Sequence, residues 1–502
     1  MLMTAPDMLA TVDLGSNSFR LQICRQLNGQ LQVVDSIKEM VRFAAGLDDQ
    51  KNLDDASQQR ALACLAQFGQ RLRGFSPNQV RTVATNTFRV AKNITQFMPK
   101  AEAALGFPIE IIAGREEARL IYTGVVHSLP PNGDKMLVID IGGGSTEFVI
   151  GRDLQPAITE SLNLGCVTYS LRFFPKGKVD AKSFQAAVNA ARAEIQRISK
   201  ELKNIGWNFA VGTSGSARSI RDVIEMGEEP LDGINAQQMS KIANRIITAG
   251  SVKKAKLAGL KPDRMEVFIG GLAVMTAAFA ELGIKDMMVT DAALRDGVLY
   301  DMIGRQLGDD MRNQTVADFQ QRYQVDVAQA TRVADLADQA LLELTQHQTI
   351  NDIALWRQYV RWAADLHEIG ISIAHTGYHK HAAYILEQAD MPGFSRKEQH
   401  ILATLILGHR GDMRKLAEYI SEPTLWLAML ALRLAALFCR ARQSAHLPAG
   451  AHLQYHAKQK QCVLSISAQW LVDNPLTTSA LWQESALWHK IGLQLRIETT
   501  QP

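Results

Sequence analysis

The chain has 502 residues, of which 47% are hydrophobic and 21% charged, with a formal net charge of +3. At about 150 residues per domain this length holds three or four domains, and the composition is that of a soluble globular protein. So small a net charge gives no support to nucleic acid as a partner, and any surface for a polyanion has to be local.

In chain order, apolar residues through Val12 to Leu14 end a first strand, and Phe19 to Ile23 restart a second across the turn Gly15-Ser16-Asn17-Ser18. A third strand is expected at Leu31 to Ile37, then a helix at Ala56 to Arg73 and a strand at Val80 to Thr85. Another helix precedes a strand at Ile109 to Ile112, and Glu116 to Tyr122 opens a further helix. The order then repeats. A hairpin at Met136 to Gly151 leads to a strand near Ile158 to Leu162, a helix at Phe184 to Leu202, and strands Phe209 to Val211 and Met287 to Val289. Strands that begin as a meander and then alternate with helices predict a mixed sheet covered by helices, used twice.

Beyond Arg305 strand signals almost vanish, and Ala, Leu and Gln recur at helical spacing through Leu437. Alternation returns at Leu453 to Tyr455, Cys462 to Ile466 and Leu493 to Glu498, which predicts a small C-terminal α/β or β unit. The expected domains are 1–125, 126–305, 306–445 and 446–502. Five scattered cysteines (Cys24, Cys64, Cys166, Cys439, Cys462) with no CxxC pair argue for a reducing compartment. The first strand begins too early for a signal peptide, and the apolar stretch Leu425 to Cys439, broken by Arg433, is too short to span a bilayer. A cytoplasmic protein without a membrane span is expected.

The chemistry lies in a turn that the chain writes twice. Asp13-Leu14-Gly15-Ser16-Asn17-Ser18 recurs as Asp140-Ile141-Gly142-Gly143-Gly144-Ser145, with Arg20 in the first copy where the second has Glu147. Gly and Ser leave backbone N–H groups uncovered, so two such turns can close on a phosphate chain from opposite sides. A third turn, Gly212-Thr213-Ser214-Gly215, joins a strand to a helix and offers another phosphate-ready end. None of the three is a P-loop or a dinucleotide fingerprint.

Asp140 and Glu147 suit a magnesium ion shared with substrate phosphates; an isolated Asp140 would be read as capping its turn, but the matching turn at Asp13 favours the metal. Glu116 and Glu117 open a helix, where the dipole alone would favour them. Neighbours on a helix point about 100° apart, so one of the two faces a cleft and could serve as a general base. Arg89, past the end of strand Val80 to Thr85, is placed for phosphate or is an ordinary helix-end arginine. In the helical half, His367-Glu368 with His375, His379, His381 and His409 could suggest a metal site, and Lys380, Arg396, Lys397, Arg410, Arg414 and Lys415 either a cationic groove or a solvated face.

With the twin turns, Glu116-Glu117-Ala118-Arg119-Leu120-Ile121, Gly212-Thr213-Ser214-Gly215 and Asp291-Ala292-Ala293-Leu294-Arg295-Asp296-Gly297 in place, the sequence resembles the bacterial exopolyphosphatase and guanosine pentaphosphate phosphohydrolase family. The resemblance covers nearly the whole chain. It implies two ribonuclease-H-like domains of the actin-like ATPase superfamily, a degenerate helical HD-type phosphohydrolase domain and a small C-terminal α/β domain, in a homodimer. It implies Glu117 as catalytic base, Arg89 as a phosphate-binding arginine, and Asp140 and Glu147 as magnesium-associated acids. Gly15, Ser16, Asn17 and Ser18, and Gly142, Gly143, Gly144 and Ser145, match its phosphate loops. The expected activity is release of the terminal phosphate of inorganic polyphosphate, with guanosine pentaphosphate as the alternative substrate, or as an inhibitor. An ATP-dependent kinase and a non-enzymatic polyphosphate or alarmone sensor are the readings from other classes.

Overall fold

The computed structural model describes residues 8–27, 30–130, 133–227, 233–413, 416, 423–442, 447–448 and 450–500. The chain divides into two compact units, Met1–Asp310 and Met311–Pro502.

The first unit contains two sheets. Strands β1 (Met8–Leu14), β2 (Phe19–Leu27), β3 (Gln30–Glu39), β4 (Val80–Ala84) and β5 (Glu110–Ile111) form the first, in the order β3-β2-β1-β4-β5. Strands β6 (Lys135–Ile141), β7 (Thr146–Arg152), β8 (Gln155–Leu162), β9 (Phe209–Thr213), β10 (Ile234–Asn235) and β11 (Asp286–Val289) form the second, in the order β10-β11-β9-β6-β7-β8. In each sheet the first three strands are an antiparallel meander, and the next joins parallel to the first. The duplication reaches down to irregularities. Pairing slips at Ile23/Cys24 between β2 and β3, and at the matching Ile150/Gly151 between β7 and β8. Central strands are apolar runs because both faces are covered: every residue of β4 is buried, as is β6 from Met136 onward.

Three cores hold this unit. One packs the outer face of the first sheet on the helices Asp55–Arg71 and Ile94–Leu105, and another packs the outer face of the second sheet on Ala181–Ile205 and Phe268–Leu282. The third lies between the sheets. Leu9 and Val83 of the first sheet and Val138, Val149 and Val211 of the second share it with helices Gly114–Ser128 and Leu294–Leu307. Two helices wedged between two sheets bring the carboxyl ends of β1, β4, β6 and β9 to one side, where the turns cluster. β10, only two residues long, carries no alternation that could have announced it.

In the second unit, helices Met311–Arg322, Val327–Thr345, Ile353–Leu366, Tyr378–Gln388, Arg396–Gly408 and Pro423–Phe438 share one core with a three-stranded sheet. That sheet has the order β12-β13-β14, with β12 His452–His456, β13 Gln461–Ser467 and β14 Gln494–Thr500. The apolar stretch around Leu425 corrects the sequence expectation. Its helical run, 423–441, is long and apolar enough to cross a membrane by length and composition, but 72% of that window is buried. Mid-helix Arg433 is also buried, held by the carboxylate of Glu484 and the carbonyl of Gly408. A helix that is apolar all round is what the centre of such a core requires.

Candidate active site

The twin turns meet across a cavity of about 100 Å³. Asp13 pairs across its hairpin with Arg20, and Asp140 pairs across its own with Glu147. A Cβ on Gly15 would lie 3.1 Å from the Ser18 carbonyl, and one on Gly142 3.1 Å from the Ser145 carbonyl, so both glycines serve the same close crossing. The loops approach so nearly that a Cβ on Gly143 would stand 2.9 Å from that of Ser16. Thr87 donates a 2.8 Å hydrogen bond to the Ser16 hydroxyl from below. The carbonyls of Ser16 and Asn17 accept from Ala44 and Arg42, and those of Gly142 and Gly143 accept from Cys166 and Val167. In a planar trans peptide the N–H points opposite to the C=O. The amides of Asn17, Ser18, Gly143 and Gly144 are therefore turned the other way, as an anion cradle requires.

Of the third turn, Ser214 and Gly215 line the cavity. Ser214 sits in the left-handed region at φ 63°, a conformation costing on the order of 1 kcal/mol in a non-glycine residue. It aims the Ser214 hydroxyl at Asp140, donating to Oδ2 at 2.6 Å. Gly215 lets the Arg264 guanidinium lie against the turn, where a Cβ would meet it at 2.9 Å. Gly212 and Thr213 do not line the cavity. Gly212 is bare so that Met287 can pack on β9, and the Thr213 hydroxyl is spent on the carbonyl of Ala292.

Neighbouring acids on one helix part company as their geometry dictates. Glu116 is buried in a two-pronged bond from Arg119, 2.8 Å on each prong, while Glu117 faces the cavity. Arg89 is not among the residues that line the cavity, but it touches one that does. The short helix Asn86–Val90 turns its Nη1 to the carbonyl of Ile112 at 2.9 Å and to Glu117 Oε2 at 2.7 Å. Arg89 thus holds the Glu117 carboxylate from behind. Ser161 does the same for Glu147, donating to Oε1 at 2.8 Å.

Four residues outside the sequence-based site set line the cavity as cations: Arg20, Arg218, Arg264 and Arg295. Arg218 could have been found one helical turn beyond Ser214, whose carbonyl its Nε reaches at 3.0 Å. Arg264 ends the short 3₁₀ turn Pro262–Arg264, far in sequence from the twin turns, and has no local signal at all. Asp13 joins the acids. Burial raises it to about 7, with the charges of Glu117 and Asp140 adding to the shift against Arg20 and Arg295. Burial likewise raises Asp140 to about 6, and burial with the Glu117 and Asp140 charges puts Glu147 well above the carboxylate range. Burial and Arg295 bring Arg20 down to about 10. Acids that resist ionisation call for a cation, and crowded arginines call for an anion.

Among the described residues no group of three or more His, Cys, Asp or Glu is arranged to hold a metal. Asp140 Oδ1, however, is buried with no hydrogen-bond partner. An acid pair with one orphaned oxygen fits magnesium, which keeps several waters and shares substrate phosphates in place of a full protein cage. Among the described residues of the helical half, the histidine and glutamate candidates are engaged elsewhere. Glu368 is bound by Arg442 at 2.7 Å, and His367 and His409 each turn Nδ1 to a backbone carbonyl at 2.6 Å. Lys380, Arg396, Lys397 and Arg410 are exposed, and Arg414 and Lys415 lie outside the described residues.

The Ppx/GppA phosphatase family matches residues 22–306, and Ppx/GppA phosphatase, domain III, matches residues 311–485. A curated protein of Pseudoalteromonas translucida, named guanosine-5'-triphosphate,3'-diphosphate pyrophosphatase, is 37% identical over 503 residues, covering 97% of this chain and 97% of its own. An exopolyphosphatase structure from Cytophaga hutchinsonii superposes with a TM-score of 0.54 at 20% identity, over 59% of this chain and 97% of that one. A Ppx/GppA structure from Aquifex aeolicus gives 0.51 at 22%, over 60% and 99%. At these identities the solved structures share the fold.

Proposed function

The chain belongs to the Ppx/GppA phosphatase family, with that family's actin-like ATPase fold in its first unit, and on this premise we propose that it is an exopolyphosphatase. It releases orthophosphate from the end of linear inorganic polyphosphate, with magnesium. The observation that carries this reading is the cavity itself. It is small, walled by two facing anion turns and four arginines, and no aromatic side chain is among the described residues that line it. Such a site fits a terminal phosphoryl group and provides no stacking face for a base.

Asn17, Ser18, Gly143 and Gly144 cradle the terminal phosphoryl oxygens with backbone N–H groups. Asp140 and Glu147 would hold magnesium, which when bound neutralises charge on the phosphates. Glu117, steadied by Arg89, takes a proton from a water in line with the terminal phosphorus. The water oxygen bonds to phosphorus as the bridging P–O bond breaks, and the shortened chain leaves with the bridging oxygen. Arg20, Arg218, Arg264 and Arg295 balance the charge of the remaining chain. The five cysteines are all free and buried, which suits the reducing cytoplasm we propose for it.

One observation favours a second reading: the relative at 37% identity is named for guanosine pentaphosphate. Both substrates end in a phosphoanhydride, so the catalytic groups serve either. Phosphate release from long polyphosphate and from guanosine pentaphosphate at matched low concentration decides between them. A kcat/KM at least tenfold higher on polyphosphate is expected; the reverse order would move the assignment to the nucleotide.

A further inference from the structure

The two helices between the sheets each deliver a charged residue to the cavity. Helix Gly114–Ser128 brings Glu117 in its first turn, and helix Leu294–Leu307 brings Arg295 in its own. They cross backbone to backbone. A Cβ on Gly124 would lie 2.7 Å from the Ala293 carbonyl, and one on Gly297 would overlap the carbonyl of Leu120. Such a bare contact sets the distance between the helices, and its glycines bring no side chain to key their crossing angle.

Asp301 ties the pair to its surroundings. Its Oδ1 accepts from Arg119 Nη2 at 2.6 Å, and its Oδ2 accepts from Arg81 Nη1 at 2.5 Å and Arg305 Nε at 3.0 Å. Arg119 in turn grips Glu116, the residue next to Glu117, and Arg81 on β4 reaches Glu110 on β5 at 3.1 Å. One buried carboxylate from the last helix of the unit is thereby tied to the first sheet and to the helix that carries the base. Against its burial, the guanidiniums of Arg119, Arg81 and Arg305 hold Asp301 well below the usual carboxylate range, so the tie stays ionic throughout the working pH. Buried ionic lattices are poor sources of stability compared with apolar packing, and their best use is to select one geometry.

We propose that Asp301 is a positioning residue for the hydrolysis, acting through Arg119 and Glu116 to hold Glu117 in line with the attacking water. The proposal rests on the reading of Glu117 as the base. The lever is long enough to matter. Glu117 stands three residues from the crossing at Leu120 and seven from Gly124, about 5 to 10 Å along the helix at 1.5 Å per residue. A rocking of about 5° to 13° would displace it by about 1 Å, and a misplacement of that size can cost about 100-fold in rate.

The test uses Asp301→Asn and Arg119→Lys in the full chain, with kinetics on polyphosphate and amide hydrogen exchange over residues 114–121. In folded variants kcat should fall roughly 10- to 100-fold with KM changed less than about threefold, and exchange in the first turns of the helix should quicken. In the double variant Glu117→Gln/Asp301→Asn, the second change should add no further loss, because the base it positions is gone. A folded variant with kcat within twofold of wild type, or a loss confined to KM, overturns the proposal. Failure of both single variants to fold would assign the lattice to stability alone and overturn it as well. Full turnover by Glu117→Gln would instead defeat the reading of the base, while the exchange measurement would still report whether Asp301 fixes the helix.

Discussion

Glu117→Gln is expected to lower kcat on polyphosphate by about 10³-fold while leaving substrate affinity within about threefold, since a positioned base contributes roughly 10² to 10⁴. Gln preserves the size of the side chain and can still meet the Arg89 guanidinium through its oxygen, so the wall of the cavity keeps its shape. What disappears is the ability to accept a proton. The phosphate cradle is built from other groups, the backbone amides of the twin turns and the arginines, and these continue to bind. Steady-state kinetics paired with binding to the inactive variant checks the prediction. Undiminished turnover would remove Glu117 from the chemistry, and lost binding would make it a substrate ligand.

Asp140→Asn is expected to abolish magnesium-dependent turnover, with a loss of about 10²-fold or more, because charge on the transferring phosphoryl group is then left unneutralised. The same change should stabilise the fold in chelator. Burial holds Asp140 near pH 6, above the ordinary 3.8 of the unfolded chain. The folded state then keeps a proton that the unfolded state has released, so stability falls as pH rises from about 4 to about 6 and is level above. Removing the acid removes that loss. At pH 8 without metal, Asp140→Asn should be the more stable protein by on the order of 3 kcal/mol, and the advantage should shrink as pH is lowered toward 5. Thermal unfolding of both proteins in chelator checks it. Equal stability across the range would mean that Asp140 carries no unmet charge in the free protein.

The two acids thus do opposite work on the same cavity. Glu117 is held by Arg89 and, on the proposed reading, acts on water, whereas Asp140 accepts from Ser214 and, among the described residues, has no partner for its other oxygen, which is left for a cation. That difference also separates the twin turns. The Asp140 copy sets an acid, Glu147, opposite its aspartate, and the Asp13 copy sets a cation, Arg20. On the proposed reading, duplication supplied two cradles, and one cross-strand residue in each suits one to a metal and the other to phosphate.

These features were legible in the sequence to the extent that they are local. An aspartate at the end of an apolar run followed by Gly and Ser defines its strand, turn and facing side without reference to anything distant. The split between Glu116 and Glu117 follows from helical geometry alone. What stayed hidden depends on long-range packing. Arg264 and Arg295 reach the cavity from a single 3₁₀ turn and from the last helix of the unit, and nothing in their neighbourhoods marks their destination. Arg89 was recognised as a site residue, but its partner could not be read, because the Ile112 carbonyl and Glu117 come to it from another element. Gly212 and Thr213 look like Ser214 and Gly215 in sequence. The strand end turns the first pair into packing, and only the left-handed turn at Ser214 opens toward the acids.

The claim that this cavity hydrolyses a terminal phosphoanhydride is tested most directly by the fate of water oxygen. Polyphosphate incubated with the protein and magnesium in ¹⁸O-labelled water, with no acceptor present, should release orthophosphate carrying one labelled oxygen. Release should vanish in Glu117→Gln. Phosphate that appears only when an acceptor is added, as a phosphorylated acceptor without label, would make the protein a transferase and contradict the account.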